Sequence, residues 1–477
     1  MTEEVNAVYY IGIDLGTSAI KLMLTDGTGR TIRTVSESYP ISYPHPHWSE
    51  QSPEDWWTGV ETGMARLLTG VDREQVGGVA VAGQMHGLVM LDENDRVLRP
   101  AILWNDTRTE AETRYLNEEI GRETLHGRTG NIAFAGFTAP KVLWVRRHEP
   151  EVFARCARIC LPKDYINLKL TGVFATDVSD ASGTLYFDVE NRRWSPEMLA
   201  LLGIDESMLP TVYESGEAIG RTTLFGLDAA VAAGAGDNAA AAVGTGTVTS
   251  GLCNVSLGTS GTVFLPTDGF VRTSNPALHS FCHANGHWHL MGCILTAASA
   301  NKWLTEEILR ADYGEWETAV RPENGVYFMP YLSGERCPHN DGDVRGAFLG
   351  LTHSTTRLDL AHAVMEGVSF AIRDCLSLCP EPVRTATVCG GGAKSRVWMR
   401  ILADVLGVGL QVIETEGPAL GAAALAAEAA GEPFTVTPTV RDTVAPDPAR
   451  TAVYDRKYRK YQTLYPMLKA FYKEEHS

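Results

Sequence analysis

The chain has no basic excess, no paired cysteine motif and no long unbroken apolar run. Its net charge of −17 would repel a nucleic-acid backbone or an anionic membrane surface, so neither is an expected partner. Two short basic clusters, Arg146-Arg147-His148 and Arg456-Lys457-Tyr458-Arg459-Lys460, read as solvated helix faces. Nine cysteines are scattered without a Cys-x-x-Cys pair, which predicts buried, reduced thiols in place of a disulfide frame or a zinc site. Met1 to Asn6 carries two glutamates, and no signal peptide is expected. The longest region of small apolar residues, Ala229 to Thr249, is interrupted by Asp237 and Asn238, unlike a membrane span. The expected setting is the cytoplasm.

What the sequence does contain is a pair of short glycine-hydroxyl turns, Asp14-Leu15-Gly16-Thr17-Ser18 and Leu257-Gly258-Thr259-Ser260-Gly261. Each follows an apolar stretch that reads as a strand, and each ends in small residues whose amides and hydroxyls can close around phosphate oxygens. Two such turns predict one phosphate chain held from two sides. The second lies about half a chain length after the first, so 477 residues divide naturally into two related lobes of large-domain size, 1–244 and 245–477.

The local patterns predict a hairpin from Tyr9 to Leu15 and Ile20 to Thr25. A helix starts at Ser52-Pro53-Glu54-Asp55, with proline in its first turn and acids at the positive end of the dipole. Val76 to Ala82 reads as a buried strand running into Gly83-Gln84-Met85-His86-Gly87, a polar break where α/β folds present ligand groups. Similar breaks occur at Trp104-Asn105-Asp106-Thr107-Arg108 and at Gly234-Ala235-Gly236-Asp237-Asn238.

In the second half, Thr387 to Cys389 feeds Gly390-Gly391-Gly392-Ala393-Lys394-Ser395 and a helix, an arrangement that either offers amides to a nucleotide or is simply a tight turn. His279, His283, His287 and His289 flank an Asn285-Gly286 hairpin signal, which would spread them over two strands in preference to a metal. The tyrosines at 454, 458, 461 and 465 have helical spacing and predict a terminal helix packed on the second lobe.

The strings IGIDLGTS, WSEQ-x-P, AGQMHG, RPAILWNDTR, GFTAPK, LPKDY, AGAGDN, SLGTSG, YLSGER-x-PH and GGGAKS occur in this order over nearly the whole chain. Together they resemble the FGGY carbohydrate kinases. The resemblance implies an α/β, two-lobed actin/hexokinase-like (ribonuclease H-like) fold. Each lobe would be a mixed five-stranded sheet flanked by helices, and the lobes would close over MgATP and a sugar in an interlobe cleft. Residues 1–244 would form the sugar-binding lobe and 245–477 the nucleotide-binding lobe. A homodimer is expected by analogy.

Phosphoryl transfer to a sugar requires an in-line alcohol, neutralised phosphate oxygens and a group that receives the alcohol's proton. The resemblance places the aspartate matching Asp237 beside the reacting hydroxyl, with Asn238 helping to hold the sugar. With an ordinary carboxylate pKa of about 3.9, Asp237 would orient the hydroxyl and take its proton late. Asp14, at the end of the first strand, is the candidate to hold Mg²⁺ directly or through water, its alternative being a turn cap. Thr17, Ser18, Gly258, Thr259 and Ser260 would supply donors to the ATP phosphates, with Lys21 as a helper or a solvated strand lysine. Gly391, Gly392 and Ser395 would join them.

Met85 and His86 are the specificity candidates, since the matching turn in the family's glycerol kinases carries Arg-Glu. Trp104 and Asp106, beside Asn105, either line the same sugar pocket or are an ordinary aromatic and cap. The expected acceptor is a ketopentose, D-xylulose. The alternatives are another ketose, a polyol or gluconate, and, from another class, an actin-like ATPase module. Two departures stand out: a short Gly220 to Gly234 segment ahead of Asp237, and Cys337 at a position that is commonly Thr.

Overall fold

The computed structural model describes residues 8–414 and 417–473. They form two compact units. The first holds the described residues up to Val248 together with Ser280–Trp288 and 417–437, and the second holds Thr249–His279, 289–414 and 438–473.

In the first unit, β1 (Tyr9–Leu15), β2 (Ala19–Asp26) and β3 (Thr31–Ser38) form an antiparallel meander. β1 also pairs in parallel with β4 (Val76–Gly83). Beyond β4 lie β5 (Ala218–Thr222) and β6 (Ala229–Ala232), giving the order β5-β6-β4-β1-β2-β3, and the short β7 (Ala235–Gly236) pairs with the end of β4. The sheet therefore has seven strands in place of the expected five, because the compact 218–236 segment still contributes a hairpin and a short extension to the ligand end of β4.

One face of this sheet is covered by α1 (Pro53–Leu67). Ser52 precedes it, Pro53 opens it, and Trp56, Val60, Met64 and Leu67 form its buried stripe against β2 and β3. Each fully buried side chain of this size contributes about 1.5–3 kcal/mol. β1 and β4 also carry the alanine-rich helix Pro418–Ala429, which is buried along most of its length. Only small residues permit that approach: a Cβ on Gly12 would sit 1.9 Å from the Ala419 carbonyl oxygen.

The second unit repeats the opening plan. β8 (Leu252–Leu257) makes a hairpin with β9 (Gly261–Thr267) and pairs in parallel with a later strand, within the order β10 (Trp288–Ile294)-β9-β8-β11 (Thr385–Cys389)-β12 (Gly409–Glu414)-β13 (Thr439–Val444). The long helix Arg357–Ser377, opened by a Thr356/Asp359 capping box, carries the core. Against it packs the helix Pro448–Tyr461, whose Tyr454, Tyr458 and Tyr461 are buried around Phe370. The Arg456–Lys460 run is not the solvated face expected from sequence. Helical spacing turns Lys457 inward with the tyrosines, and it forms a buried ion pair with Glu366.

All nine cysteines are free thiols, seven of them buried. Among the described residues no helix is long and apolar enough to cross a membrane.

Candidate active site

The carboxyl ends of β1, β4 and β7 bring several of the sequence candidates of the first unit together. Asp14 is one residue from the end of β1 and lies opposite Lys21 on β2. Gly16 closes the following turn, its amide donating to the Ala19 carbonyl at 3.1 Å. The Tyr39 hydroxyl donates to the Gly16 carbonyl, and the Gln51 side-chain amide donates to the Thr17 carbonyl at 2.6 Å. The turn is thus held from behind, with Ser18 exposed and Thr17 partly so.

Asp237 is the first residue of a helix spanning Asp237–Gly244, where the helix dipole favours an acid. Burial pushes its carboxyl up to about 7, with the negative charge of Asp14 adding to the shift. Burial likewise pushes Asp14 up to about 6, against the pull of Lys21. The ordinary carboxylate value expected from sequence therefore does not hold at Asp237. Its environment makes it a stronger base, suited to accept a proton near neutral pH.

Met85 and His86 end the β4 extension beside this acid. The Asn238 amide donates to Asp237 Oδ1 at 3.2 Å and approaches Met85 Sδ at 3.7 Å. His86 has φ +68, a strained conformation for a side chain of its size. Its ring is fixed by Nδ1 at 2.8 Å from the Gly183 carbonyl and by stacking on Phe137 at 4.6 Å. Because a carbonyl can only accept, Nδ1 carries a proton in this contact. Gly183 cannot carry a side chain here, because a Cβ would lie 2.4 Å from the imidazole.

The His86 carbonyl accepts from Lys141 Nζ at 2.8 Å and from the Thr138 hydroxyl at 3.2 Å, both on the helix Thr138–His148. Lys141 is fully buried, and burial pushes it down to about 7 against the attraction of Asp106. Its role was not visible in the GFTAPK string. Lys141→Met is expected to release the strained His86 peptide and raise about tenfold, equivalent to about 1.4 kcal/mol, the KM of a substrate held at this turn, with the KM of a co-substrate held elsewhere unchanged. Initial-rate kinetics check this; equal rises in both constants would count against it.

The Trp104-Asn105-Asp106 break divides. Trp104 is exposed and its indole donates to the Thr17 hydroxyl at 2.9 Å, on the turn that follows β1. Asp106 is fully buried and turned away. Its oxygens accept from the Ser49 amide at 2.6 Å and from Arg108, which also pairs with Glu50 at 2.8 Å. It braces the loop and leaves no oxygen for a sugar. Within the histidine string, His283 is used inward: its Nε2 lies 3.1 Å from the Thr247 carbonyl, and burial pushes this imidazole down to about 4. Among the described residues no group of three or more His, Cys, Asp or Glu side chains is placed to hold a metal.

In the second unit a cavity of about 910 Å³ is lined by Gly258, Thr259, Gly391, Gly392 and Ser395, a volume suited to a nucleotide-sized ligand. Ser260 is not among its lining residues. Asn301, Lys302, Tyr313, Glu317 and Trp398 are also in the wall, and none of these was singled out by motif. The glycine run is a tight turn that also lines this cavity. Gly390 has φ +92 and, like Gly392, packs too closely on Leu257 for any side chain, whereas a Cβ on Gly391 would meet nothing. Ser395 caps the helix Arg396–Leu406 by accepting from the Trp398 amide.

A glycine-hydroxyl turn beside paired acids in one unit, and a glycine-walled nucleotide-sized cavity in the other, are the parts of a phosphotransferase. The chain belongs to the FGGY family of carbohydrate kinases: residues 9–244 match its N-terminal domain and residues 253–430 its C-terminal domain. It is 41% identical over 480 residues to a xylulose kinase of Escherichia coli K12, covering 96% of this chain and 99% of that protein. A crystal structure of a xyloylose kinase from Brucella ovis superposes with TM-score 0.93 at 41% identity, covering 97% of this chain and all of that one. A gluconate kinase from Lactobacillus acidophilus reaches the same TM-score at 24% identity, covering 98% and 99% of the two chains, so the fold alone does not select the sugar.

Proposed function

We propose that the protein transfers the γ-phosphoryl of ATP to the terminal hydroxyl of D-xylulose, giving D-xylulose 5-phosphate and ADP. The observation that carries this reading is the meeting of Asp237, Asn238, Met85 and His86 at one end of the β4 extension. Near-full-length similarity to proteins named xylulose kinases supports the choice of sugar.

Asp237 orients the attacking hydroxyl and receives its proton as the bond to phosphorus forms. Asn238 and the His86 imidazole hold the sugar, and Met85 gives the site an apolar wall. In the first unit Thr17 and Ser18 offer donors suited to phosphate oxygens, and the Trp104 contact leaves the Thr17 hydroxyl proton available for that role; in the second unit Gly258 and Thr259 line the nucleotide-sized cavity. Gly391, Gly392 and the wall around Tyr313 receive the nucleotide.

Asp14 fits a Mg²⁺ ligand: a hard oxygen donor at a strand end, raised by burial, and close enough in charge to Asp237 to raise it too. A bound Mg²⁺ would neutralise phosphate charge. A homodimer contact through the chain after Pro448 rests on analogy alone; light scattering, with a dimer mass expected and a monomer mass counting against it, tests it.

The decisive measurement is coupled ADP release over a panel of ketoses, polyols and gluconate. D-xylulose is expected to give the highest kcat/KM. Turnover with another sugar and none with D-xylulose would overturn the specificity.

A further inference from the structure

The backbone ahead of Asp237 is held by a buried polar network on the helix Val178–Ala181 and its neighbours. The Gly236 amide donates to Ser179 Oγ at 3.1 Å. Ser179 Oγ donates in turn to Asp177 Oδ2 at 2.5 Å, and the same oxygen accepts from the Ser179 amide at 2.8 Å and from Ser215 Oγ at 2.7 Å. Asp177 Oδ1 lies 3.1 Å from Lys163 Nζ. Lys163 also pairs with Asp164 at 2.8 Å and donates to the Ala233 carbonyl at 3.1 Å. Ser179, Asp177, Lys163 and Asp164 are all fully buried.

The orientation of the serine follows from this arrangement. A hydroxyl has one proton, and that proton is committed to Asp177, so a lone pair is left for the Gly236 amide. Lys163 fixes the chain at Ala233 and Ser179 fixes it at Gly236, so the approach to Asp237 is pinned at both ends. A helix of four residues has little stability of its own. Burying one lysine with three neighbouring carboxyls, Asp164, Asp177 and Asp180, is also costly compared with an apolar filling. What the network supplies is a fixed direction for one backbone amide, adjacent to the acid proposed to receive the hydroxyl proton.

We propose that Ser179 is a positioning residue for phosphoryl transfer. It acts through the Gly236 amide to set the direction in which Asp237 meets the sugar hydroxyl, and Lys163 and Asp177 hold it in place. This rests on the reading of Asp237 as the proton acceptor. Misplacement of a reacting group by about 1 Å can cost about 10²-fold in rate, so Ser179→Ala is expected to lower kcat by about 30-fold. The KM for ATP should stay within about twofold, because the phosphate turns do not depend on that hydroxyl.

A double-mutant cycle with Asp237→Asn tests the proposal. If Ser179 acts through Asp237, Ser179→Ala has no further effect on the residual turnover of Asp237→Asn. A general structural defect would lower that residual turnover by the same factor as in the wild type and would overturn the proposal, as would wild-type kcat in Ser179→Ala. Normal turnover in Asp237→Asn would remove the reading of Asp237 itself. Should Ser179→Ala not fold, Ser179→Cys keeps the shape with a weaker acceptor. An intermediate loss of kcat at unchanged ATP KM is then expected, and an unchanged kcat overturns the proposal.

Discussion

Asp237→Asn is expected to lower kcat by about 10²–10⁴-fold, the range that a positioned general base contributes, with a much smaller change in either KM. The isosteric amide keeps the helix start and the Asn238 contact but cannot take a proton. The wild-type pH profile carries the same information. A base works in its ionised form, so kcat/KM, which reports the free enzyme, should be highest above the raised pKa of about 7 and decline as pH falls through it. In Asp237→Asn that acid limb should disappear from the residual rate. A wild-type profile flat down to about pH 5 would be the behaviour of an unperturbed carboxylate near 3.9, and would contradict the effect of burial beside Asp14.

How much of this was legible in the sequence depended on whether a feature is local. The first hairpin was readable because Gly16 and the apolar runs around it lie within one short segment, and the strand found is Tyr9–Leu15, as expected. The helix opened by Ser52-Pro53 was readable for the same reason. The return of Pro418–Ala429 to the first unit was not. Its alanines show no periodic stripe, since both sides of the helix are buried, and the partner that requires them small is Gly12 at the other end of the chain.

The site divides in the same way. Asp14, Asp237, Met85 and His86 announce themselves by standing in glycine-flanked breaks at strand ends. Lys141 and Ser179 act through the backbone of other residues, at His86 and Gly236, and one-dimensional spacing carries no record of which carbonyl a buried lysine reaches. Asp106 shows the converse failure. A polar break is equally well explained by a buried ion pair, and only the Arg108 and Ser49 contacts decide between the two. The raised pKa of Asp237 also comes from burial and a neighbouring charge, both products of tertiary structure.

The misread basic run at Arg456–Lys460 leads to the largest expected effect on stability. Lys457 is buried against Glu366, which also accepts from the Tyr454 hydroxyl at 3.1 Å. Removing one partner of such a pair leaves an uncompensated charge and costs about 3–5 kcal/mol, so Lys457→Met should lower the Tm of the second unit by roughly 6–20 °C at about 2–4 °C per kcal/mol. The loss should depend on pH. Burial pushes Glu366 up to about 7 even with Lys457 pulling it down, so without the lysine it rises further. A carboxyl whose folded pKa lies above its unfolded value contributes stability that is present at low pH and lost as pH rises through the folded pKa. The deficit of Lys457→Met relative to wild type should therefore be smaller at about pH 5.5, where the variant can keep Glu366 neutral, and larger at about pH 8.5. Lys457→Met/Glu366→Gln should recover much of the high-pH loss, because the amide still accepts from Tyr454 but carries no charge. Melting curves of the three proteins at both pH values check this. A deficit independent of pH, or no recovery in the double variant, would mean that Lys457 acts through the packing of its methylene chain and not as the counterion of Glu366.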